Sequence, residues 1–577
     1  MSNRVSAPPL PFKTILIVFL GLSLCICISA LDSVTVATAL PTISSVFNAG
    51  SISSWVPSAY LLTSTVFQPL YGRFSDIFGR KLSLCVGMSV FMIGNLAAGF
   101  SKNIITLIVL RGLAGTGGGG LVSLSQIVVS DIISLRERGK YQGLIGGVVA
   151  LGYCLGPIMG GSLAENVGWQ WCFWITVPIT FFAMCVVIFV LPLKPVEGNM
   201  KSKLKVVDYL GSALTLASCS LLILPIVWGG VTFPWKSAVV LATLLSGILL
   251  VAAFCLWEWK GARLPIVPMY IFRHATVTGV YITMFANGFV FFSSLYYLPQ
   301  FFEVCLGFTP TRGGTFLIPV LISQMIASWL SGLLVSITGR YRTIIHSGFT
   351  MSALGCGLLS TVHSTTPRIV MVVYMLLAGF GSGQTMQTTT VAAQASVPRH
   401  DMSVVTAFRN FIRQLGGTLA LAIDSAVLNN SLRSSMRHLS LSSSIIDAVV
   451  DNPLALQTPA KLGLTSSQAA YILEHGYTAG FRSVFIMNAA LAAVATIASI
   501  TMIKHKELRR PDEEMLKKQR KDPTPTETTS VSGAGAADGV VDIEKGPVDS
   551  HHRQHGSVDD LELTKIDETD EKDESPV

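Results

Sequence analysis

The sequence predicts an all-α polytopic membrane protein, and three observations lead to that fold class. Charged residues are 13% of the 577 residues, about half of the usual share, and the mean hydropathy is +0.58. Apolar runs of about 20 residues, enough to cross the hydrocarbon layer as a helix, recur over about the first 500 positions. Lys and Arg form short clusters between these runs, so the net charge of +8 indicates membrane topology and no nucleic acid partner.

Fourteen apolar runs, separated by Gly, Pro and charged residues, predict fourteen transmembrane helices. Six lie in each half of the chain, and two extra helices lie between the halves. We expect these helices at residues 14–39, 52–71, 82–100, 104–133, 141–164, 172–191, 209–230, 237–257, 275–298, 313–337, 343–362, 368–391, 403–428 and 480–503.

The predicted spans divide the chain into five parts. These are a cytosolic N-terminus (1–13), an N-terminal six-helix half (14–191), a linker with two extra transmembrane helices (192–274), a C-terminal six-helix half (275–503) and a cytosolic tail (504–577). The tail is rich in Asp, Glu, Ser, Thr, Gly and Pro, a composition that cannot bury a core, so we expect it to be disordered. Regulation by phosphorylation and an inert solubilising role are both open for it.

The basic clusters fall in alternate loops, which places those loops and both termini in the cytosol. The opposite loops are short and nearly uncharged except the last, at 429–479, which we expect to be a long polar loop. Its sequon Asn429-Asn430-Ser431 is a candidate glycosylation site. The alternative is an unmodified asparagine, because the sequon lies close to the preceding span.

No cofactor, metal or nucleotide is expected. Nine of the ten cysteines lie within apolar runs, and the chain has no Cys-x-x-Cys pair. The glycine run at 117–120 lies inside a span, and no phosphate-binding Gly-Lys-Ser/Thr motif occurs, so ATP is not the energy source.

The loop after the second span has a spacing that recurs in the second half. Residues 72–81 read GRFSDIFGRK and residues 332–340 read GLLVSITGR, so Gly72, Gly79 and Arg80 correspond to Gly332, Gly339 and Arg340. Equivalent placement favours a duplicated half, as in many secondary transporters. Lys81 adds to the basic cluster. We expect Asp76 to pair with arginine or to accept from a helix N-terminus, as a latch between rocking halves. The alternative is a solvated loop charge.

This loop resembles the signature of the major facilitator superfamily. Further stretches resemble its 14-span drug:proton antiporter branch: LDSVTVATALP at 31–41, RGLAGTGGG at 111–119, GYCLGPIMGG at 152–161, and YLPQ and LGFTP at 297–300 and 306–310. The resemblance covers about residues 14–503. It implies the major facilitator fold, with two six-helix halves around a central cavity.

Asp32 and Arg111 are ionisable residues within predicted spans, where such residues are costly and default to a functional role. At 1.5 Å per residue, Asp32 lies about 27 Å along the first span, and Arg111 about 10 Å into the fourth span from the opposite direction. They lie at comparable depth and can face each other. The resemblance implies that such residues couple transport to protons; the alternative is a permanent ion pair that locks two helices together.

Asp424, in the thirteenth span, is the second acidic candidate. One interpretation is a contact to a cationic substrate, which with Asp32 would favour cationic or amphipathic cargo. The other interpretation is a solvated charge at the boundary of the span.

The fifth span carries Gly152, Gly156 and Gly160 at every fourth position, a ridge that lets another helix approach closely. Pro157 removes a backbone donor and favours a kink. The resemblance associates this Gly-Pro pattern with antiporters. Polar residues within spans are candidates for the cavity wall, with helix-to-helix hydrogen bonding as the alternative; they are Tyr60, Gln126, Asn287, Gln300, Gln384 and Gln387.

The resemblance implies a transporter and not an enzyme. The first hypothesis is a proton-coupled antiporter in the plasma membrane that exports drugs, toxins or secondary metabolites from the cytosol, acting as a monomer. Its partners would be a small organic substrate, protons and the lipid bilayer. Two alternatives are a vacuolar importer of basic amino acids, because residues 59–72 also resemble fungal vacuolar members, and a nutrient sensor that lost transport.

Overall fold

The computed structural model describes residues 12–47, 49, 52–53, 55–191, 193, 196, 199–229, 233–451 and 453–508. These residues belong to one compact unit, Met1–Lys521. The expected cytosolic N-terminus, apart from its last two residues, and the tail beyond residue 508 lie outside the described part of the chain.

The regular structure of the described residues is α-helical, and a helix occurs at each position where the sequence predicts one. The N half contains α1 (Phe12–Phe47), α2 (Trp55–Phe78), α3 (Arg80–Ala98), α4 (Ile104–Ile132), α5 (Arg138–Asn166), α6 (Trp171–Trp174) and α7 (Thr176–Val190). The linker contains α8 (Met200–Val206), α9 (Tyr209–Trp228) and α10 (Ala238–Lys260).

The C half contains α11 (Ala275–Leu306), α12 (Pro310–Phe316), α13 (Ile318–Thr338), α14 (Tyr341–Leu359), α15 (Arg368–Ser396), α16 (Met402–His438), α17 (Ser443–Asp451), α18 (Ser466–Tyr471) and α19 (Ala479–Met502). Short 3-10 turns occur at Met269–Arg273, Arg399–Asp401, Pro453–Gln457 and Pro459–Leu462, and a π-helix, Ile472–Thr478, joins α18 to α19.

Twelve helical segments of the described chain are long and apolar enough to cross a membrane. Helices α2 and α14 are not among them, because polar residues such as Gln68 in α2 and Arg342 and His346 in α14 lower their hydropathy. The integral membrane character of the chain is therefore clear. The count of fourteen spans and the cytosolic termini stay predictions.

The long connection predicted at 429–479 is mostly helical. Helix α16 continues to His438, and α17 buries Ile446 and Val449 against the core. Asn429 lies inside α16, with its Nδ2 atom 3.4 Å from the Ser425 hydroxyl. Asn429 therefore does not lie in a loop, as the glycosylation hypothesis assumed.

Glycines end α2 and α13 at equivalent turns of the two halves. The φ angle is +102° at Gly79 and +73° at Gly339, values that a side chain rarely allows. These two turns, together with the turn between α4 and α5, lie at one end of the bundle, which we call the basic end because Arg80, Lys81, Arg136 and Arg340 lie there.

The glycine ridge of α5 packs against α1. A Cβ atom at Gly152 would lie 2.7 Å from the Cys27 carbonyl oxygen, and one at Gly156 would lie 3.2 Å from the Leu31 carbonyl oxygen. At Gly160 it would collide with the Thr35 carbonyl, whereas at Gly161 it would meet nothing within 4 Å. Close approach of the two backbones therefore requires glycine on one face of α5 only.

This contrast predicts that Gly160→Ala destabilises the protein and Gly161→Ala does not. The added methyl group at Gly160 must push α1 away, which costs about 1–3 kcal/mol, as in other overpacked sites. At the open Gly161 position alanine should be neutral or stabilising by up to about 1 kcal/mol, because of its helix propensity. Thermal unfolding of both variants in the same detergent measures the difference; equal melting temperatures would contradict the close packing of α1 on α5.

The two most extensive helix pairs between the halves are α2 on α16 and α5 on α13, and α5 also contacts α15 while α4 contacts α16. In the first pair, a Cβ atom at Gly72 would lie 2.7 Å from Ala407 Cβ. In the second pair, a Cβ atom at Gly332 would lie 2.8 Å from Gly143 Cα. Both close approaches lie toward the basic end.

Candidate functional site

A cavity lies between the two halves, which both contribute to its wall. Helices α1, α2, α4 and α5 line it from the N half, and α15 and α16 line it from the C half. Three of the predicted cavity residues, Tyr60, Gln126 and Gln387, line it. The other residues of the wall are Ile26, Ser29, Ala30, Ser33, Leu61, Ser64, Gln68, Gly118, Gly119, Val122, Val149, Tyr153, Met386, Arg409, Asn410, Arg413 and Gln414.

The other three predicted cavity residues lie outside this wall. Asn287 is behind it, where its Oδ1 atom accepts a hydrogen bond from Arg413 Nε at 3.0 Å. Gln384 accepts from the Ser347 hydroxyl at 3.2 Å, and Gln300 is exposed near the end of α11. Asn287 therefore reaches the wall through Arg413, whereas Gln300 and Gln384 are not part of the wall formed by the described residues.

Sequence reasoning missed the two arginines of the wall, Arg409 and Arg413. They lie about 10 Å and 16 Å along α16, on one face because they are four residues apart. Both side chains are at least 92% buried. The rule that singled out Asp32, an ionisable residue inside an apolar run, also applies to them. The sequence places them nearer the cytosolic end of the span that contains Asp424, and they were not selected as candidates.

Asp32 and Arg111 form an ion pair in which neither residue is exposed to solvent. Arg111 Nη1 lies 2.9 Å and 3.1 Å from the two carboxylate oxygens of Asp32, and it also donates to Asn95 Oδ1 at 2.9 Å. The guanidinium packs over the rings of Tyr60, at 4.4 Å, and Phe173, at 5.2 Å. The structure therefore brings together the two residues that the sequence places at equal depth.

Tyr60 separates this ion pair from the cavity. Its ring covers Arg111 on one side, while the residue itself is part of the cavity wall. The tyrosine hydroxyl lies 3.3 Å from Ser29 Oγ, another wall residue. A change in the Asp32–Arg111 pair can therefore reach the cavity through one side chain.

Asp424 is fully buried, which conflicts with the interpretation of a solvated boundary charge. Helix α16 continues for fourteen residues beyond it, so the residue is internal to the helix. Its polar neighbour is the Ser293 hydroxyl, and no cationic side chain pairs with it in the described part of the chain. Asp424 does not line the cavity, so the structure gives no support for a substrate contact there.

Asp76 connects the two halves at the basic end. Its carboxylate lies 2.7 Å from Arg80 Nη1 and 3.9 Å from Arg73 Nη1, and it accepts a hydrogen bond from the Ser403 hydroxyl of α16 at 2.9 Å. Arg80 also bonds Asp131 Oδ2 at 2.8 Å. Since the Asp76 side chain is 16% exposed, it is not a freely solvated loop charge.

The second copy of the loop has no acidic residue. Here an arginine of the N half binds the C half instead. Arg136 donates to the carbonyl oxygens of Ser336 and Ile337, at 3.5 Å and 3.4 Å. These carbonyls end α13, where the helix dipole favours a cation. Lys81 and Arg340 of the predicted gating loop make no described contact across the halves.

We expect Asp76→Asn to slow transport severalfold without preventing folding. The asparagine can keep the bond to Ser403 but loses the charge that holds Arg80, which itself donates to the Ser403 hydroxyl of the other half. A hydrogen bond to a charged group is worth about 1.5–3 kcal/mol. Initial transport rates, normalised to the amount of protein, measure the effect. Asp447→Asn is the matched control, since it breaks an exposed pair with Arg433 worth at most about 1 kcal/mol; an equal loss in both variants would contradict the latch.

The segment after the linker helices is tied to the start of α16. The Tyr270 hydroxyl donates to Asp401 Oδ1 at 2.8 Å. Burial, and then the bond to Asp401, raises the pKa of Tyr270 to about 12, so its hydroxyl keeps its proton and this hydrogen bond at neutral pH. Helix α16, which carries Ser403, Arg409 and Arg413, is thus held at its first turn.

Among the described residues, no group of three or more His, Cys, Asp or Glu side chains lies close enough together to hold a metal ion.

Comparisons with known proteins agree with this architecture. The family model of the Major Facilitator Superfamily matches residues 22–421. The chain is 36% identical over 441 residues to "Efflux pump dotC" of Dothistroma septosporum (strain NZE10 / CBS 128990), covering 76% of each chain. It is 33% identical over 447 residues to "Citrate exporter 1" of Yarrowia lipolytica (strain CLIB 122 / E 150), covering 78% of this chain and 66% of that protein.

The fold is similar to that of the MFS proton:xylose symporter XylE, with a TM-score of 0.56 and 14% sequence identity. The match covers 88% of this chain and 99% of the XylE chain. At this identity the likeness concerns the fold alone.

Proposed function

Since the chain belongs to the major facilitator superfamily, we propose that it is a proton-coupled antiporter that exports small organic molecules from the cytosol by alternating access. The observation that carries the proposal is the cavity between the halves, separated by one tyrosine from a buried Asp–Arg pair. Such a site can hold a solute while a nearby carboxylate gains or loses a proton.

The contacts between the halves support alternating access. From the cavity toward the basic end, Gln126 accepts from Asn410 at 2.9 Å, Ser130 accepts from Gln394 at 2.8 Å, and Asp76 accepts from Ser403 at 2.9 Å. These three levels of hydrogen bonds join the halves between the cavity and the basic end. We place that end in the cytosol, with fourteen spans and cytosolic termini, and we propose that this arrangement is the cytosol-closed state.

Residues 14–191 and 275–503 are the proposed rocking halves. The close approaches at Gly72 and Gly332 are seams that must separate when the cavity opens toward the cytosol. We propose that one chain contains the complete pathway and acts as a monomer, since both sides of the cavity come from the same chain.

Asp32 is the proposed proton carrier. Protonation removes its charge and therefore its ion pair with Arg111. The guanidinium, which has two nitrogens without a hydrogen-bond partner among the described residues, is then held mainly by Asn95 and the aromatic rings. Its movement would shift Tyr60 and so the cavity wall.

Asp424 is a second proposed proton carrier, remote from the cavity. It has no cationic partner among the described residues, so neutralising it leaves no charge unpaired. We expect Asp424→Asn to alter the pH dependence of transport while the melting temperature stays equal to or above that of the wild type. An unchanged pH profile would contradict a role in proton coupling.

The direction of transport is supported by the names of the relatives. "Efflux pump dotC" and "Citrate exporter 1" name export, and only the second names a cargo. The names therefore favour movement out of the cytosol without selecting a class of substrate.

Proteoliposomes containing the purified full chain test the proposal. An imposed pH gradient, acidic inside, should drive accumulation of cargo, and nigericin, which collapses the gradient, should abolish it. Equal uptake with and without the gradient would indicate a facilitator and contradict proton coupling. Absence of both uptake and counterflow for every compound tested would favour the sensor alternative.

We propose the plasma membrane as the location. A tagged chain that accumulates at the vacuolar membrane would contradict this and favour the vacuolar alternative.

A further inference from the structure

The charges of the cavity wall are the starting point. Its charged residues are Arg409 and Arg413, and its polar residues are neutral hydroxyl and amide side chains. Asp32 and Asp424, on which the expectation of a cationic cargo rested, are both outside this wall. In the described part of the chain the wall therefore carries two positive charges and no negative one.

Neither arginine of the cavity has a carboxylate partner among the described residues. Arg409 donates to Asn410 Oδ1 at 2.8 Å, to Thr389 Oγ1 at 3.0 Å and to the Met386 carbonyl, all of them neutral acceptors. Arg413 donates to Asn287 Oδ1 at 3.0 Å and lies 5.0 Å from the Phe291 ring. Guanidinium groups keep their charge in proteins, so the cavity remains cationic.

Two of the other buried arginines of the described chain have carboxylate counter-ions. Arg111 pairs with Asp32 at 2.9 Å, and Arg80 pairs with Asp76 and Asp131 at 2.7 Å and 2.8 Å. A buried cation without a counter-ion is costly, and the chain supplies counter-ions at these two places. The lack of one at Arg409 and Arg413 therefore needs an explanation of its own.

Two hydrogen-bond donors of the cavity lack partners in the described part of the chain. Arg413, which bonds Asn287 and Tyr153, has its Nη2 atom without an acceptor, and so has Gln387 at Nε2. The two side chains are 92% and 98% buried. Both residues line the cavity. A bound carboxylate offers two acceptor oxygens and a negative charge, and it can satisfy a guanidinium fork and an amide together.

We propose that the cargo is an organic anion, held by its carboxylate at Arg413 and Gln387 and attracted by the charge of Arg409. This inference rests on the proposed transport function and names its substrate class. Ser29, Tyr60 and Tyr153, with the apolar part of the wall, accommodate the uncharged remainder of the molecule. The same charges oppose the vacuolar alternative, because they repel the side chain of a basic amino acid.

The test compares three probes of one size that differ in charge: 1-naphthoate, 1-naphthamide and 1-naphthylmethylamine. Citrate is added as an aliphatic anion. The purified full chain is heated with each probe, and saturable stabilisation reports binding without any gradient. We expect one or both anions to stabilise the wild type, and the amide and the amine to have no effect.

Variants locate the binding site. Arg413→Gln should weaken anion binding at least tenfold, because a charged hydrogen bond is lost. Arg413→Lys should keep the preference for anions with weaker binding. Arg433→Gln, in the same helix but exposed and outside the cavity, is the matched control and should bind like the wild type. If Arg413→Gln fails to fold, Gln387→Leu, which removes the second donor, should weaken anion binding in the same way.

Three outcomes overturn the proposal: stabilisation by the amine alone, equal stabilisation of the wild type and Arg413→Gln by an anion, and no stabilisation by either anion. The transport assay is separate. Anion binding without proton-driven flux would contradict the antiporter and keep the substrate class. Proton-driven flux of the amine would contradict the anionic substrate class and support the antiporter.

Discussion

Asp32→Asn reduces proton-driven transport to the level of protein-free vesicles, and a second substitution that restores stability does not restore transport. This expectation follows from the burial of the Asp32–Arg111 pair, in which both side chains are fully buried. The single substitution leaves the Arg111 charge without its partner, which costs about 3–5 kcal/mol of stability. The carboxylate that would carry the proton is lost as well.

The double variant Asp32→Asn/Arg111→Gln separates the two effects. It removes both charges, so most of the lost stability should return. Melting temperature and pH-gradient-driven uptake are measured for the wild type, each single variant and the double variant. If the double variant regains both stability and transport, the pair is only a lock between α1 and α4, and the proton-coupling role is contradicted.

Gly332→Leu opens the basic end and reduces transport at least tenfold. Helices α5 and α13 approach so closely there that any Cβ atom at Gly332 would lie within 2.8 Å of Gly143 Cα and against the Gly139 carbonyl. The leucine must separate the helices, and overpacking of this kind costs about 1–3 kcal/mol, enough to favour the other state by a factor of about 5 to 150. The protein should be held open toward the cytosol.

Spin labels on α5 and α13 measure this opening. Lys140→Cys and Leu334→Cys are exposed positions of the seam, introduced with Cys255→Ser to remove the one cysteine of the described residues that is classed as exposed. The distance between labels should increase in Gly332→Leu. Gly357→Leu is the matched control, since a Cβ atom at Gly357 meets nothing closer than Ala489 at 4.0 Å. An unchanged distance together with lost transport would contradict alternating access at this seam.

The fold was predictable because each helix and each turn is indicated by residues that are close together in the sequence. Runs of apolar residues give the positions of the helices, and Gly79 and Gly339 give equivalent turns, since few other residues adopt their positive φ angles. Ends of helices were less predictable. Helix α16 extends ten residues beyond its expected end at Leu428, because hydropathy stops at the boundary of the membrane whereas helical hydrogen bonding continues.

The sequence predicted how far along its helix a site residue lies, but not which face of the helix the residue occupies. The rise per residue placed Asp32 and Arg111 at equal depth, and the structure pairs them. Which face of a helix looks into the cavity depends on packing between distant segments. Gln387 therefore lines the wall while Gln384, one turn earlier, contacts Ser347. Arg409 and Arg413 could have been selected from the sequence alone, if arginines within a span had been treated as functional candidates in the same way as carboxylates.

The most direct test of proton-coupled antiport is the sign of the proton movement that a cargo gradient causes. Proteoliposomes holding pyranine, a dye that reports internal pH, start with equal pH on both sides, and cargo is added outside. Antiport moves cargo inward and protons outward, so the account predicts that the interior becomes alkaline in the wild type and does not change in Asp32→Asn. An interior that becomes acidic, as in symport, or cargo entry without any change in pH, would contradict it.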